Sequence, residues 1–205
     1  MGTEKFYLKK LNLIKPSIFL FLILNSFILI ACDISKIHFF LDKNISFQVT
    51  YEQNFNDSSD LIVGNIYRDY AKIKVSSSVP KEELIINKNK IFRHDLEMDQ
   101  LIIEESGEST NQSPAFLLFN NPNLICDFFS KANCSDGSCI YSDPLDNFYL
   151  KNINIDFENK KIKKIIYEDL FERISTVDLF KYEQLDKKVS FEPKVSDETE
   201  KIFLN

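Results

Sequence analysis

Tryptophan is absent from the 205 residues, and glycine (four) and histidine (two) are scarce. So few glycines, with only six prolines, exclude collagen-like and low-complexity architectures. His38 and His94 stand far apart with no ligand spacing around them, so a histidine-centred metal site has little to build on and enzyme readings start low. Basic charge is also in deficit, 25 Lys+Arg against 31 Asp+Glu. That balance argues against a polybasic membrane-surface protein and against nucleic acid as a partner, because displacing phosphate counterions takes a basic surface. At 44% hydrophobic and 27% charged, without a repeat or linker, the chain reads as one globular domain.

What is present begins with an export signal over residues 1–31. Lys5, Lys9, Lys10 and Lys15 form a basic region, Ile18–Ile30 an apolar run of 13 residues, and Ala31 a small residue at the cut. A membrane-spanning helix needs about 20 apolar residues, so a permanent anchor is the poorer reading. Removal leaves 21 basic and 30 acidic side chains, a net charge of −9 on residues 32–205. Leu29-Ile30-Ala31-Cys32 also fits a lipobox. Cys32 is therefore either the lipidated first residue of an anchored protein or a chance cysteine beside ordinary cleavage.

Cys126, Cys134 and Cys139 complete the cysteine set, and their spacing matches no zinc pattern. Cys134-Ser-Asp-Gly-Ser-Cys139 reads as a hairpin turn with a cross-turn disulfide, the Asp-Gly pair supplying a positive φ. If Cys32 is not lipidated, Cys32–Cys126 becomes available as a second pair.

Apolar residues at Ile34, Ile37 and Leu41 predict a short helix over 34–43, with His38 on its face. From Ser46 the period becomes two, with Phe47, Val49 and Tyr51 opposite Gln48, Thr50 and Glu52. Short strands are expected at 61–67, 72–76, 83–87, 90–94 and 100–105, then at 127–133, 138–142, 149–157, 163–169, 173–183 and 188–191. Tight connections require antiparallel neighbours. Two helical pieces, 115–119 and 123–127, interrupt the series, and 196–205 reads as a partly ordered tail. A sheet covered by so few helices leaves an apolar face rich in the chain's 19 phenylalanines. That face is either ordinary core or a surface that buries an apolar ligand.

The order of motifs resembles the periplasmic outer-membrane lipoprotein carrier family, LolA, over residues 34–195. Ser46-Phe47-Gln48-Val49-Thr50-Tyr51-Glu52-Gln53 is similar to its S-F-x-A-x-F-x-Q strand. Gly64-Asn65-Ile66-Tyr67-Arg68 is similar to its Gly-x-Leu-x-x-x-Arg-Pro segment, two residues shorter and with Asp69 where proline is usual. The stretches Val79–Asn87 and Ile91–Gln100, then Ser113–Leu118 and Phe191-Glu192-Pro193, follow in the family's order.

The resemblance implies an incomplete antiparallel β-barrel, mainly β with a few short helices, closed by a helical lid over an apolar cavity. It implies a periplasmic chaperone without cofactor or catalysed reaction, and a monomer. Its partners would be acylated lipoprotein cargo, an inner-membrane lipoprotein-releasing ABC transporter and an outer-membrane receptor. Carried over by position, Arg68 is the lid latch; its bland alternative is a surface arginine paired with Asp69. Alternation and the expected lid give Phe47, Val49, Leu84, Ile86, Leu117, Leu118, Phe148, Leu150, Ile155 and Ile165 as acyl-chain cavity residues. An anchored, LolB-like receptor acylated at Cys32 is the nearest alternative, and an unrelated envelope lipoprotein or enzyme the next. Asp95, Glu97 and Asp99, the one carboxylate cluster, read as a solvated edge rather than a site.

Overall fold

The change of apolar period near Ser46 becomes a helix followed by a long strand. In the computed structural model, residues 32–56, 60–70, 72–87, 90–105, 118–145 and 148–204 are described. They belong to one of two units, residues 32–205, the other being 1–31. The expected export signal thus lies outside the described residues, as do Ser113–Leu117 of the expected lid.

Helix α1 (Ser35–Lys43) buries Ile37, Phe40 and Leu41. Strand β1 (Ser46–Phe55) buries Phe47, Val49 and Tyr51, the residues its alternation puts on one face. Strands β2 (Leu61–Asp69), β3 (Lys72–Ser77), β4 (Glu82–Asn87), β5 (Lys90–Asp95) and β6 (Gln100–Glu105) follow as a meander. Residues 118–120 are helical and lead to the short helix α2 (Leu124–Phe128). Then come β7 (Phe129–Cys134), β8 (Ser138–Pro144), β9 (Leu150–Glu158), β10 (Lys161–Asp169), β11 (Ile174–Gln184) and β12 (Glu200–Leu204). The twelve strands form one curved, unclosed sheet in the order β12-β6-β5-β4-β3-β2-β1-β11-β10-β9-β8-β7. The β1–β11 pairing joins the halves, with Tyr51 opposite Leu179 and Gln53 opposite Val177.

The inner face carries the core. Phe47, Val49, Ile66, Ile73, Ile86, Ile155 and Ile165 from the sheet cluster with Phe40 of α1 and with Leu118 and Phe119 of the helical segment. A register slip of one residue would turn every one of these outward, so the core fixes the pairing. The β9–β10 hairpin closes through Asn159 and Lys160, both at positive φ (50° and 63°), as a tight two-residue hairpin requires.

The structure departs from the sequence expectation in several places. The strand expected over 127–133 begins at Phe129, because Leu124–Phe128 is helical. Gly137 does not take a positive φ; the 135–138 loop is closed by the Ser135 amide donating to the Ser138 carbonyl at 2.8 Å. Residues 188–191 form no strand. Asp186 instead caps a turn, accepting from the Lys188 amide at 2.9 Å, and Phe191 is buried as an anchor.

Within the expected tail, residues 200–204 form strand β12, which pairs in parallel with β6, so the sheet is not wholly antiparallel. The segment linking β11 to β12 crosses the outer face, where Asn87 donates to the Phe191 carbonyl at 3.3 Å. Ile85 and Leu101, which alternate away from Ile86 and Ile91, are buried on that side. Asp99, read from sequence as part of a solvated edge, fastens the segment. Its carboxylate accepts from Thr199 Oγ1 at 2.9 Å and Ser196 Oγ at 3.0 Å, and His94 Nε2 lies 3.2 Å away.

The Thr199, His94 and Ser196 hydrogen bonds hold the Asp99 carboxyl below its ordinary range. A depressed carboxyl pKa stabilises above the unfolded value and loses that effect as pH falls through the folded one. Protection factors of amides 200–204, taken against the intrinsic exchange rate at each pH, should therefore be high at pH 6 and fall as pH drops below about 4. Asp99→Asn tolerates the left-handed backbone (φ 50°) while removing the charge, so its protection factors there should be lower at pH 6 and lose that pH response.

Candidate functional site: an apolar groove beside a helical cover

One end of the inner face is left uncovered and forms a groove of about 180 Å³. Tyr51 and Gln53 of β1, Ile62 and Ile66 of β2, Val75 and Ser77 of β3, Leu84 and Glu82 of β4, Pro80 and Val177 line it. The walls are apolar, and Glu82, Gln53, Ser77 and the Tyr51 phenol supply the polar atoms. Burial first, and then the Glu82 charge, push the Tyr51 phenol up to about 12, so it stays a neutral donor. Gln53 Nε2 donates to the Tyr167 hydroxyl at 2.8 Å. Tyr167 in turn lines a second hollow of about 510 Å³ with Phe55, Tyr149 and Ile174.

Gly64 makes the groove's floor. It sits opposite Tyr51 on β1 and Ser77 on β3, and a Cβ there would run into the Ser76 carbonyl and lie 2.6 Å from the Tyr51 ring. The ring lies against the glycine, which is the physical content of a glycine four residues before Arg68.

Beyond Ile66, the inner face is covered. Arg68 Nε donates to the Phe119 carbonyl at 3.1 Å. Its Nη1 reaches the carbonyls of Asn44 at 2.9 Å, Ile45 at 3.3 Å and Leu41 at 3.4 Å. The last carbonyls of α1 lack helical partners, and a cation at a helix C-terminus satisfies both the lone pairs and the dipole. Burial lowers the Arg68 pKa, opposed by Asp42 and Asp69, yet a guanidinium remains charged. Arg68 is thus not paired with Asp69, whose carboxylate takes the Ser46 hydroxyl. Beneath it Phe40, Phe47, Phe119 and Tyr182 meet edge to face or tilted, with centroids 5.7–6.3 Å apart.

Two disulfides are present, of which one ties the cover. Cys32–Cys126 joins the start of the unit to α2, and Cys134–Cys139 crosses the β7–β8 turn. On chain-entropy grounds the first, closing 94 residues, is worth up to roughly 4–5 kcal/mol, and the second, closing five, less than the ~3 kcal/mol of a 15-residue loop. His38 Nε2 adds a hydrogen bond of 3.0 Å to Asn123 Oδ1.

Of the cavity residues expected from sequence, Leu84 lines the groove. Leu150, though buried, lines the second hollow; Phe47, Val49, Ile86, Leu118, Phe148, Ile155 and Ile165 are packed in the buried core, and Leu117 lies outside the described residues. The remaining groove residues, Ile62, Ile66, Val75 and Val177 among them, were not singled out from sequence. Tyr51 shares the alternation of Phe47 and Val49, and it was the signal that pointed there. Among the described residues no group of His, Cys, Asp and Glu could hold a metal, and no helix is long and apolar enough to cross a membrane.

A curved open sheet with an apolar inner face and a cover of short helices is the class to which these observations lead. The family model for outer membrane lipoprotein carrier protein LolA matches residues 71–192, and the chain belongs to that family. No curated protein matches it. Its fold is similar to that of an uncharacterized conserved protein from Thermus thermophilus, 9% identical, with a TM-score of 0.55 over 82% of this chain and 98% of that one. More distant similarity reaches a LolA superfamily protein from Nitrosomonas europaea, 14% identical, with a TM-score of 0.39 over 69% and 86% of the two chains. It also reaches MucB in complex with MucA(peri), 7% identical, with a TM-score of 0.41 over 79% and 60%. Arg68 and Gly64 lie before the matched residues, so their roles rest on geometry.

Gly64→Ala should destabilise the protein by about 1–3 kcal/mol, because the β3 backbone on one side and Tyr51 on the other must both shift. Urea denaturation checks this, and a variant as stable as the wild type would show that the contact yields freely.

Proposed function

We propose that this protein is an envelope carrier that takes up the acyl chains of lipoproteins at the inner membrane, shields them between sheet and cover, and releases them at the outer membrane. The observation that carries this reading is Arg68, a single side chain that bonds both covering segments to the sheet. The uncovered groove, about 180 Å³, is smaller than the roughly 300–1,000 Å³ of typical ligand pockets. Whole acyl chains would enter only if α1 and the 118–120 segment lift.

The energetics allow such an exchange. Hydrogen bonds to a charged group contribute about 1.5–3 kcal/mol each, so releasing the two shortest Arg68 bonds costs roughly 3–6 kcal/mol. About eight methylenes buried in their place return roughly 6 kcal/mol. Opening and closing would therefore be nearly balanced, as a carrier that must both load and unload requires.

In this reading the protein works in the periplasm after removal of residues 1–31 and catalyses no reaction. It would receive cargo from an inner-membrane ABC transporter and pass it to an outer-membrane receptor. The anchored alternative needs the Cys32 sulfur for a thioether. That sulfur is engaged with Cys126, which favours the diffusing form.

Spheroplasts holding labelled lipoprotein in the inner membrane should shed it into the medium only when the mature protein is added. No release with a folded preparation would refute the carrier reading. Arg68→Leu should still take up cargo but deliver it at least about tenfold less, since a cover without its latch does not close behind departing cargo. Delivery at the wild-type level by that variant would remove Arg68 from the mechanism.

A further inference from the structure

Away from the groove, a hollow of about 450 Å³ lies between α1 and the β9–β10 hairpin, a size within the roughly 300–1,000 Å³ of ligand pockets. Phe39 of α1 and Phe157 of β9 give it apolar walls. Lys36 and Lys160 bring cations to it, Asn159 an amide, and Asp136 of the β7–β8 turn a carboxylate.

Lys36 is the member that the fold alone does not account for. Its Nζ is buried and has no hydrogen-bond partner, whereas an ammonium taken out of water ordinarily finds one. Asp33 feels the Lys36 charge, but its Oδ1 accepts from the Ser35 amide at 2.9 Å. Position adds to the anomaly. Lys36 stands in the first turn of α1, which holds no acid and has no side-chain cap at Ile34, at the end where the helix dipole favours negative charge.

Across the hollow the cations continue. Lys160 Nζ lies 5.8 Å and Lys43 Nζ 6.0 Å from the centre of the Phe39 ring, which is itself 45% exposed. Glu158, the acid next to this hairpin turn, is paired with Lys163 at 2.8 Å. In a unit of net charge −9, two ammonium groups against one carboxylate around exposed aromatic walls form a local reversal of sign.

We propose that this hollow binds a phosphate ester carried on an apolar body, its oxygens taken by Lys36, Lys160 and the Asn159 amide and its apolar part resting on Phe39 and Phe157. Donors on both α1 and the hairpin suit the several oxygens of a phosphate, for which lysine serves as a point charge. The ester is either the headgroup end of an anionic phospholipid or a small free phosphate ester. Asp136 opposes the anion, so binding is modest and weakens with salt. The site is separate from the groove and does not rest on the carrier reading.

The test titrates isotope-labelled mature protein at low salt with phenyl phosphate, with dihexanoyl phosphatidylglycerol below its micelle concentration, and with inorganic phosphate. Amide shifts of residues 35–37 and 157–160 report this hollow, and those of 62–66 report the groove, so chains that enter the groove are read separately. One or both esters should bind at the hollow at least about fivefold more tightly than inorganic phosphate, and the ester that does so identifies the source. Lys36→Met, whose fold the unmoved amides of β1 and β11 check, should weaken that binding about fivefold, while Lys201→Met on β12 leaves it unchanged. Phe39→Ser should bring the esters down to the level of inorganic phosphate. No shift at the hollow with any probe, or ester binding unaltered in Lys36→Met, overturns the proposal. Inorganic phosphate bound as tightly as both esters overturns it too, since the apolar walls then select nothing.

Discussion

The carbonyls of Leu41 and Asn44 at the end of α1 and of Phe119 in the facing helical segment converge on one guanidinium. Arg68 sits on the inner face between Phe47 and Ile73, so its stem belongs to the core while its donors reach the chain that covers it. Without that group the cover would keep its packing, the Tyr141 hydroxyl on the Asp33 carbonyl at 2.7 Å and the Cys32–Cys126 bond, but each carbonyl left buried and unpaired would cost about 1–3 kcal/mol. In the proposed carrier, the bonds that hold the cover closed are the ones a ligand would exchange for apolar burial, so that stability of the cover and access to the groove would be one equilibrium.

Other features confine motion to that cover. The Cys32–Cys126 bond fixes the chain ahead of α1 to α2, and the segment fastened at Asp99 braces the outer face behind β4–β6. The β1–β11 pairing, with Gln48 also bonded to Glu183 at 2.7 Å, holds the two halves of the sheet in register. The sheet becomes the rigid partner and the helical segments the ones that can yield.

Much of this was legible in the chain. Alternation from Ser46 placed Phe47, Val49 and Tyr51 inward, and turn residues separated nearly every strand correctly, because both are local signals. The parallel pairing of β12 was not legible, since its partner lies 100 residues away in sequence and its anchors, Ser196 and Thr199 on Asp99, are polar residues of the kind that mark loops. The groove was half legible. Residues such as Ile165 and Phe148 have the same inward orientation as Leu84, but whether an inward side chain meets another side chain or open space depends on where the helices stop. Gly64 carried more information than its place in a weak motif suggested, for it leaves room for the Tyr51 ring.

The most direct measurement is the distance between a spin label at position 121, beside the helical segment, and one on the outer face of β2 at position 67, with and without acylated cargo. The account predicts that this distance lengthens when cargo binds to the wild type and is already long in empty Arg68→Leu. A distance unchanged by cargo, and the same in both proteins, would contradict it.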